Sequence, residues 1–144
     1  MGASKYVTGN YNRRGFTLIE LMVVLIILGL LIGIVAPNVY KKLTQGQNVA
    51  AKTQIKQLEG AILSFDSDMG RFPTTEEGLK ALIENPDGSE LWAGPYLNPR
   101  VVPKDPWHHD YVYVFPGSHN DEFDLYSKGQ DGQEGTQDDL VNWE

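Results

Sequence analysis

Apolar positions in this 144-residue chain fall into two regimes. Across residues 16–36 nearly every position is apolar, interrupted only by Thr17, Glu20, Gly29 and Gly33. About 20 such residues form a helix long enough to cross a bilayer. Further on the apolar positions thin to a stripe. Leu43, Ala50, Ala51, Ile55, Leu58, Ile62, Phe65 and Met69 recur at spacings of three and four, with Gln47 filling one gap. Lys41, Lys42, Lys52, Lys56 and Glu59 fall on other faces, which is the pattern of an amphipathic helix. The spacing predicts one helix from Phe16 to about Asp68, roughly 80 Å long at 1.5 Å per residue. Pro37 is expected to kink it or open it locally.

Beyond the stripe the periodicity breaks up. Gly70 is placed to cap the helix C-terminus. Thr74-Thr75-Glu76-Glu77 reads as a capping box, with Thr74 at N-cap and Glu77 at N3. It opens a short helix carrying Leu79, Leu82 and Ile83, which stops at Asn85 before Pro86. Residues 86–110 read as a loop pinned to the core by Trp92, Tyr96, Leu97 and Trp107. Residues 111–115 form a β-rich run, 116–120 a turn and 123–127 a returning strand. Leu140, Val141 and Trp143 supply a third short strand or a clasp. The fold class is α+β: a long N-terminal helix packed on a small C-terminal region with a short antiparallel sheet. The divisions are 1–15, 16–36, 37–69 and 70–144.

Charge sharpens this picture. The segment 1–15 carries Lys5, Arg13 and Arg14 and no acid, so without it the net charge of −7 becomes −10. So acidic a remainder argues against nucleic acid, whose phosphates need a basic surface. Arg13 and Arg14 beside the apolar run predict a cytoplasmic N-terminus by the positive-inside rule. The chain has no Cys, which excludes disulfides and thiolate metal sites.

Glu20 is the anomaly. A carboxylate inside a membrane-spanning run costs roughly 2.5–3.5 kcal/mol on insertion scales. A cleaved secretory signal with its cut near Ile34-Val35-Ala36 would put Pro37 just after the scissile bond and Glu20 in its apolar core. A twin-arginine signal at Asn12-Arg13-Arg14-Gly15-Phe16 meets the same acid. A plain anchor leaves Glu20 unpaired.

Two polar clusters remain. His108 and His109 are adjacent, so in a strand they would face opposite ways and could not share a metal. They are read as loop residues, and His119 as a turn residue without a role. Neither a Ser–His–Asp order nor a phosphate-binding glycine loop stands out, so no enzyme is expected. The segment 127–139 is glycine-rich and acidic, with Asp131 followed by Asp138 and Asp139. Calcium takes six to eight oxygen ligands on a flexible frame. Spacing alone leaves a solvated acidic loop and a calcium site equally open, and the pattern is not an EF-hand.

These pieces carry a resemblance. Gly15-Phe16-Thr17-Leu18-Ile19-Glu20 resembles the class III signal of type IV pilin-like proteins. The stretches 71–79, Gly94-Pro95-Tyr96-Leu97, Pro103-Lys104-Asp105-Pro106-Trp107 and 124–132 resemble the major pseudopilins of type II secretion systems. The resemblance implies a leader at 1–15, cleavage between Gly15 and Phe16 by prepilin peptidase, and N-methylation of Phe16. It implies a homopolymer built through the N-terminal helix, with Phe16, Glu20 and Pro37 in assembly. Minor pseudopilins and an inner-membrane platform are the implied partners. It implies insertion in the bacterial inner membrane before assembly, with the C-terminal region in the periplasm. It also implies Ca²⁺, held by the side chains of Asp131, Asp138 and Asp139 and by the backbone carbonyls of Lys128 and Thr136. Two other readings share parts of this pattern: a type IV major pilin, and a signal-anchored periplasmic calcium-binding protein that never polymerises.

Overall fold

The computed structural model describes Gly2 and residues 15–143. The expected leader, with Lys5, Arg13 and Arg14, lies outside the described residues except at Gly2 and Gly15. Helix α1 runs Leu18–Met69, 52 residues. It begins at Leu18 rather than Phe16 because Thr17 caps it. The Thr17 hydroxyl accepts from the Glu20 N–H at 3.2 Å, and the Glu20 carboxylate accepts from the Thr17 N–H at 3.4 Å. Each side chain thus satisfies one backbone donor that the first turn would leave unpaired.

Pro37 lies inside α1, and the helix assignment is unbroken on both sides. The helix thus runs through the proline as one element. Proline withdraws one N–H from the ladder, and the neighbouring turns continue. The buried stripe comprises Ala51, Ile55, Leu58, Ala61, Ile62 and Phe65. It therefore starts later than the apolar spacing suggests: Leu43 and Ala50 are exposed, and Ala61 joins the core instead. Gly70 ends the helix with φ +66°, its N–H donating to the Asp66 carbonyl at 2.7 Å. This is the left-handed cap that glycine adopts without steric cost.

The second capping box forms as expected. The Glu77 N–H donates to the Thr74 hydroxyl at 3.2 Å and the Thr74 N–H to the Glu77 carboxylate at 2.8 Å. What it opens is a short 3-10 helix, Gly78–Leu82, rather than an α-helix. Arg71 locks the same corner, bonding both Glu77 oxygens at 2.7 and 2.9 Å and Asp87 at 3.1 Å. The Glu77 hydrogen bond is the main reason the guanidinium is held above its usual range.

Strands β1 (Val112–Val114), β2 (Asp124–Ser127) and β3 (Leu140–Val141) form an antiparallel sheet in that order. Tyr113 faces Leu125 across β1 and β2, and Ser127 faces Leu140 across β2 and β3. Every residue of the central strand β2 is buried. One core cluster joins the α1 stripe, Leu79 and Leu82 of the 3-10 helix, and Tyr111, Tyr113, Phe123, Leu125 and Leu140. Trp92, Tyr96, Leu97 and Trp107 pack against it, as expected. Two bonds tie the loop down: Trp92 Nε1 donates to the Ala81 carbonyl at 2.9 Å, and the Tyr96 N–H to the Leu82 carbonyl at 2.7 Å. Internal packing divides the chain into two compact units, Met1–Lys41 and Lys42–Glu144.

Candidate functional site

Chemistry collects at the start of α1 and in the loop between β2 and β3. At the first, every residue from 15 to 36 is exposed, and α1 is long and apolar enough to cross a membrane. Phe16 is 86% exposed, and none of residues 15–36 is buried. An apolar face of that extent requires lipid or other protein around it. Glu20 is its one ionisable group and sits at N3 of the cap. The Thr17 contact went unread in the sequence, although Thr-x-x-Glu is the signature that correctly located Thr74 and Glu77.

The second locus is 127–139. Its root is fixed by the buried Asp105, which is 2% exposed. One Asp105 oxygen accepts from the Trp107 and His109 N–H groups at 3.0 and 2.8 Å. The other accepts from the Ser127 hydroxyl at the end of β2. The Ser127 oxygen in turn accepts from the Gly129 N–H at 3.1 Å. Gly129 has φ +64°, and a Cβ there would overlap the Asp138 carbonyl oxygen. Glycine is thus required where the two limbs of the loop meet.

The three expected carboxylates do come together. The Thr136 hydroxyl lies 2.7 Å from an Asp138 oxygen, 3.3 Å from Asp131 and 3.4 Å from Asp139. A hydroxyl has one hydrogen to give, so it satisfies one of them at a time. Backbone donors supply the rest: the Asp131 N–H to Asp138 at 3.0 Å, the Gln133 N–H to Asp131 at 2.8 Å, and the Gly135 N–H to Asp139 at 2.7 Å. The Thr136 hydrogen bond, followed by that of the Asp131 N–H, holds the Asp138 carboxyl below its usual range. The Thr136 carbonyl also accepts from the Asp139 N–H at 3.3 Å. Among the described residues no three His, Cys, Asp or Glu side chains stand in a ready-made metal arrangement. The donor set is nevertheless all oxygen, three carboxylates around one hydroxyl, which suits a hard cation. The Lys128 side chain stays outside, at 3.4 Å from Glu134, whose other oxygen accepts from the Tyr126 hydroxyl at 2.7 Å.

Two histidines have more to do than the sequence suggested. His119 Nδ1 lies 3.0 Å from the buried Asp124 carboxylate, and its ring stacks on Trp143 at 4.1 Å. Asp124 also accepts from the Ser118, His119 and Asn120 N–H groups at 2.8–3.2 Å, closing the turn between β1 and β2. Burial pushes this carboxyl up, but the N–H donors and His119 together outweigh it and set the value at about 2. His109, the other, lies against the acidic loop.

Comparison with known proteins gives consistent matches. The family model described as type II secretion system (T2SS), protein G matches residues 38–143. The prokaryotic N-terminal methylation motif matches residues 10–36. A type II secretion system core protein G from Pectobacterium carotovorum subsp. carotovorum is 40% identical over 146 residues, covering 99% of this chain and 92% of the relative. One from Escherichia coli (strain K12) is 41% identical over 134 residues, covering 92% of each. Among solved structures, the major pseudopilin from the type 2 secretion system of enterohaemorrhagic Escherichia coli aligns with TM-score 0.59 and 31% identity. That alignment covers 74% of this chain and 95% of the other.

Proposed function

The chain belongs to the type II secretion system protein G family and is a structural subunit of the pseudopilus; from that premise we propose how its two loci serve the filament. Prepilin peptidase cuts between Gly15 and Phe16, and Phe16 is then N-methylated. The subunit waits in the inner membrane with residues 16–36 in lipid and its C-terminal region in the periplasm. On assembly that apolar surface passes from lipid into the filament core, beside other copies and the minor pseudopilins, on an inner-membrane platform. Pro37 lies at the end of the segment that changes surroundings.

The observation that carries this reading is the wholly exposed apolar run with a single carboxylate, Glu20, four residues from the cut. The cut creates an α-amine at Phe16. On a neighbouring subunit that amine pairs with Glu20, so two charges that are costly alone become one pair. Removing one partner of a buried pair costs about 3–5 kcal/mol, enough to reject subunits in the wrong register. The deciding experiment is the N-terminal sequence of the mature protein together with a Glu20→Ala variant. The expected outcome is a methylated Phe16, and a variant that is inserted and processed but builds no filament. Filaments of ordinary length from Glu20→Ala would defeat the pairing.

The acidic loop takes Ca²⁺. Asp131, Asp138 and Asp139 would supply carboxylate oxygens, and Lys128 and Thr136 backbone carbonyls. Three carboxylates sharing one hydroxyl donor support this, because a cation neutralises what a single hydrogen does not. When bound, the ion joins the two limbs of the loop, a stapling role for a chain without cysteine.

A further inference from the structure

We propose that His109 is a positioning residue for the calcium loop, bracing its first limb from outside the ligand set. The inference rests on the calcium reading above and concerns a side chain that supplies no ligand. His109 Nδ1 lies 3.1 Å from the Gly129 carbonyl oxygen. A carbonyl only accepts, so Nδ1 carries the hydrogen and donates. The same ring lies against Gly132: a Cβ built there would be 3.1 Å from both Cε1 and Nε2. One imidazole therefore touches the loop on each side of Asp131, at two glycines with φ +64° and +68°.

The histidine is itself held. Its backbone N–H donates to Asp105 at 2.8 Å, and its carbonyl accepts from the Asp105 N–H at 2.9 Å. His108 occupies the left-handed region at φ 72°, and its N–H donates to the Asp105 carbonyl at 2.9 Å. A β-bridge between Lys104 and Asp110 closes the same turn. Asp105 also receives the Ser127 hydroxyl, so ring and loop are anchored on one buried carboxylate. The Gly129 peptide fixed by His109 is the one against which the Asp138 backbone packs. Its placement therefore sets the separation of Asp131 from Asp138. Residues that orient a ligand-bearing frame in this way change metal affinity on the order of 10–100-fold when lost.

The test uses the full-length chain in detergent micelles, titrated with Ca²⁺ alone and followed by calorimetry and by the calcium-induced rise in Tm. His109→Leu should weaken calcium binding about tenfold or more and shrink that rise. His109→Asn places an amide N–H where Nδ1 stood and should stay closer to wild type. His109→Gln places it one bond further out and should resemble Leu. Should the Leu variant not fold, the Asn and Gln pair decides. Equal binding by wild type and all folded variants overturns the bracing role while leaving the calcium reading intact. A wild-type chain that binds no Ca²⁺ overturns both.

Discussion

A carboxylate's surroundings decide what it does in this protein, and three Asp or Glu groups show three outcomes. Glu20 caps a helix in an exposed apolar segment, Asp138 shares a hydroxyl with two other acids, and Asp124 is buried among donors. Asp124 permits a signed prediction. Its carboxyl is lowered from 3.8 to about 2, so it contributes stability that is present above pH 4. That stability is lost as pH falls from about 4 to about 2, and it amounts to about 2 kcal/mol. Asp124→Asn should therefore lower Tm near neutrality and flatten the fall of Tm between pH 4 and 2, measured by circular dichroism. Little of this residue-scale chemistry was legible in the sequence. Asp131, Asp138 and Asp139 stood out because glycines surround them. His109 and His119 are visible in the sequence but read there as loop and turn residues, and Asp105 carries no signal, because the partners lie 20, 5 and 22 residues away and the fold brings them together.

Elements were the most legible scale. Hydrophobic spacing located α1, and both strands of the hairpin came from β-branched and aromatic runs. The errors lie at element ends. Leu43 has the spacing of the stripe, yet periodicity cannot tell where a core begins along a helix, and Leu43 is 59% exposed while Leu58 is fully buried. Leu58→Ala should thus cost about 2–5 kcal/mol, and Leu43→Ala within about 0.5 kcal/mol, by denaturant unfolding of the full chain. The 3-10 helix was read as an ordinary short helix because a capping box specifies a start and not a pitch. Its lock is separately testable. Arg71→Met removes the partner of Glu77 and Asp87 together, and should lower Tm more than Lys56→Met, whose bridge to Glu59 is a single surface pair.

At the scale of the whole molecule, the sequence conveyed the division of labour between an apolar run and an acidic domain, because composition changes sharply between them. Removal of calcium tests the acidic end. Chelation, or Asp131→Ala, should lower Tm and secretion together, with secretion measured as substrate in the medium. A chelated chain that melts and secretes normally would defeat the metal's role. The apolar end has a simpler consequence, set by where α1 starts. Its first backbone bond runs from the Leu21 N–H to the Thr17 carbonyl, and Gly15 and Phe16 lie ahead of the helix, exposed. Among the described residues, the proposed cut between them therefore breaks no helical hydrogen bond. Maturation therefore exchanges the basic leader, with Lys5, Arg13 and Arg14, for a single new α-amine at Phe16, set just ahead of the first turn of α1.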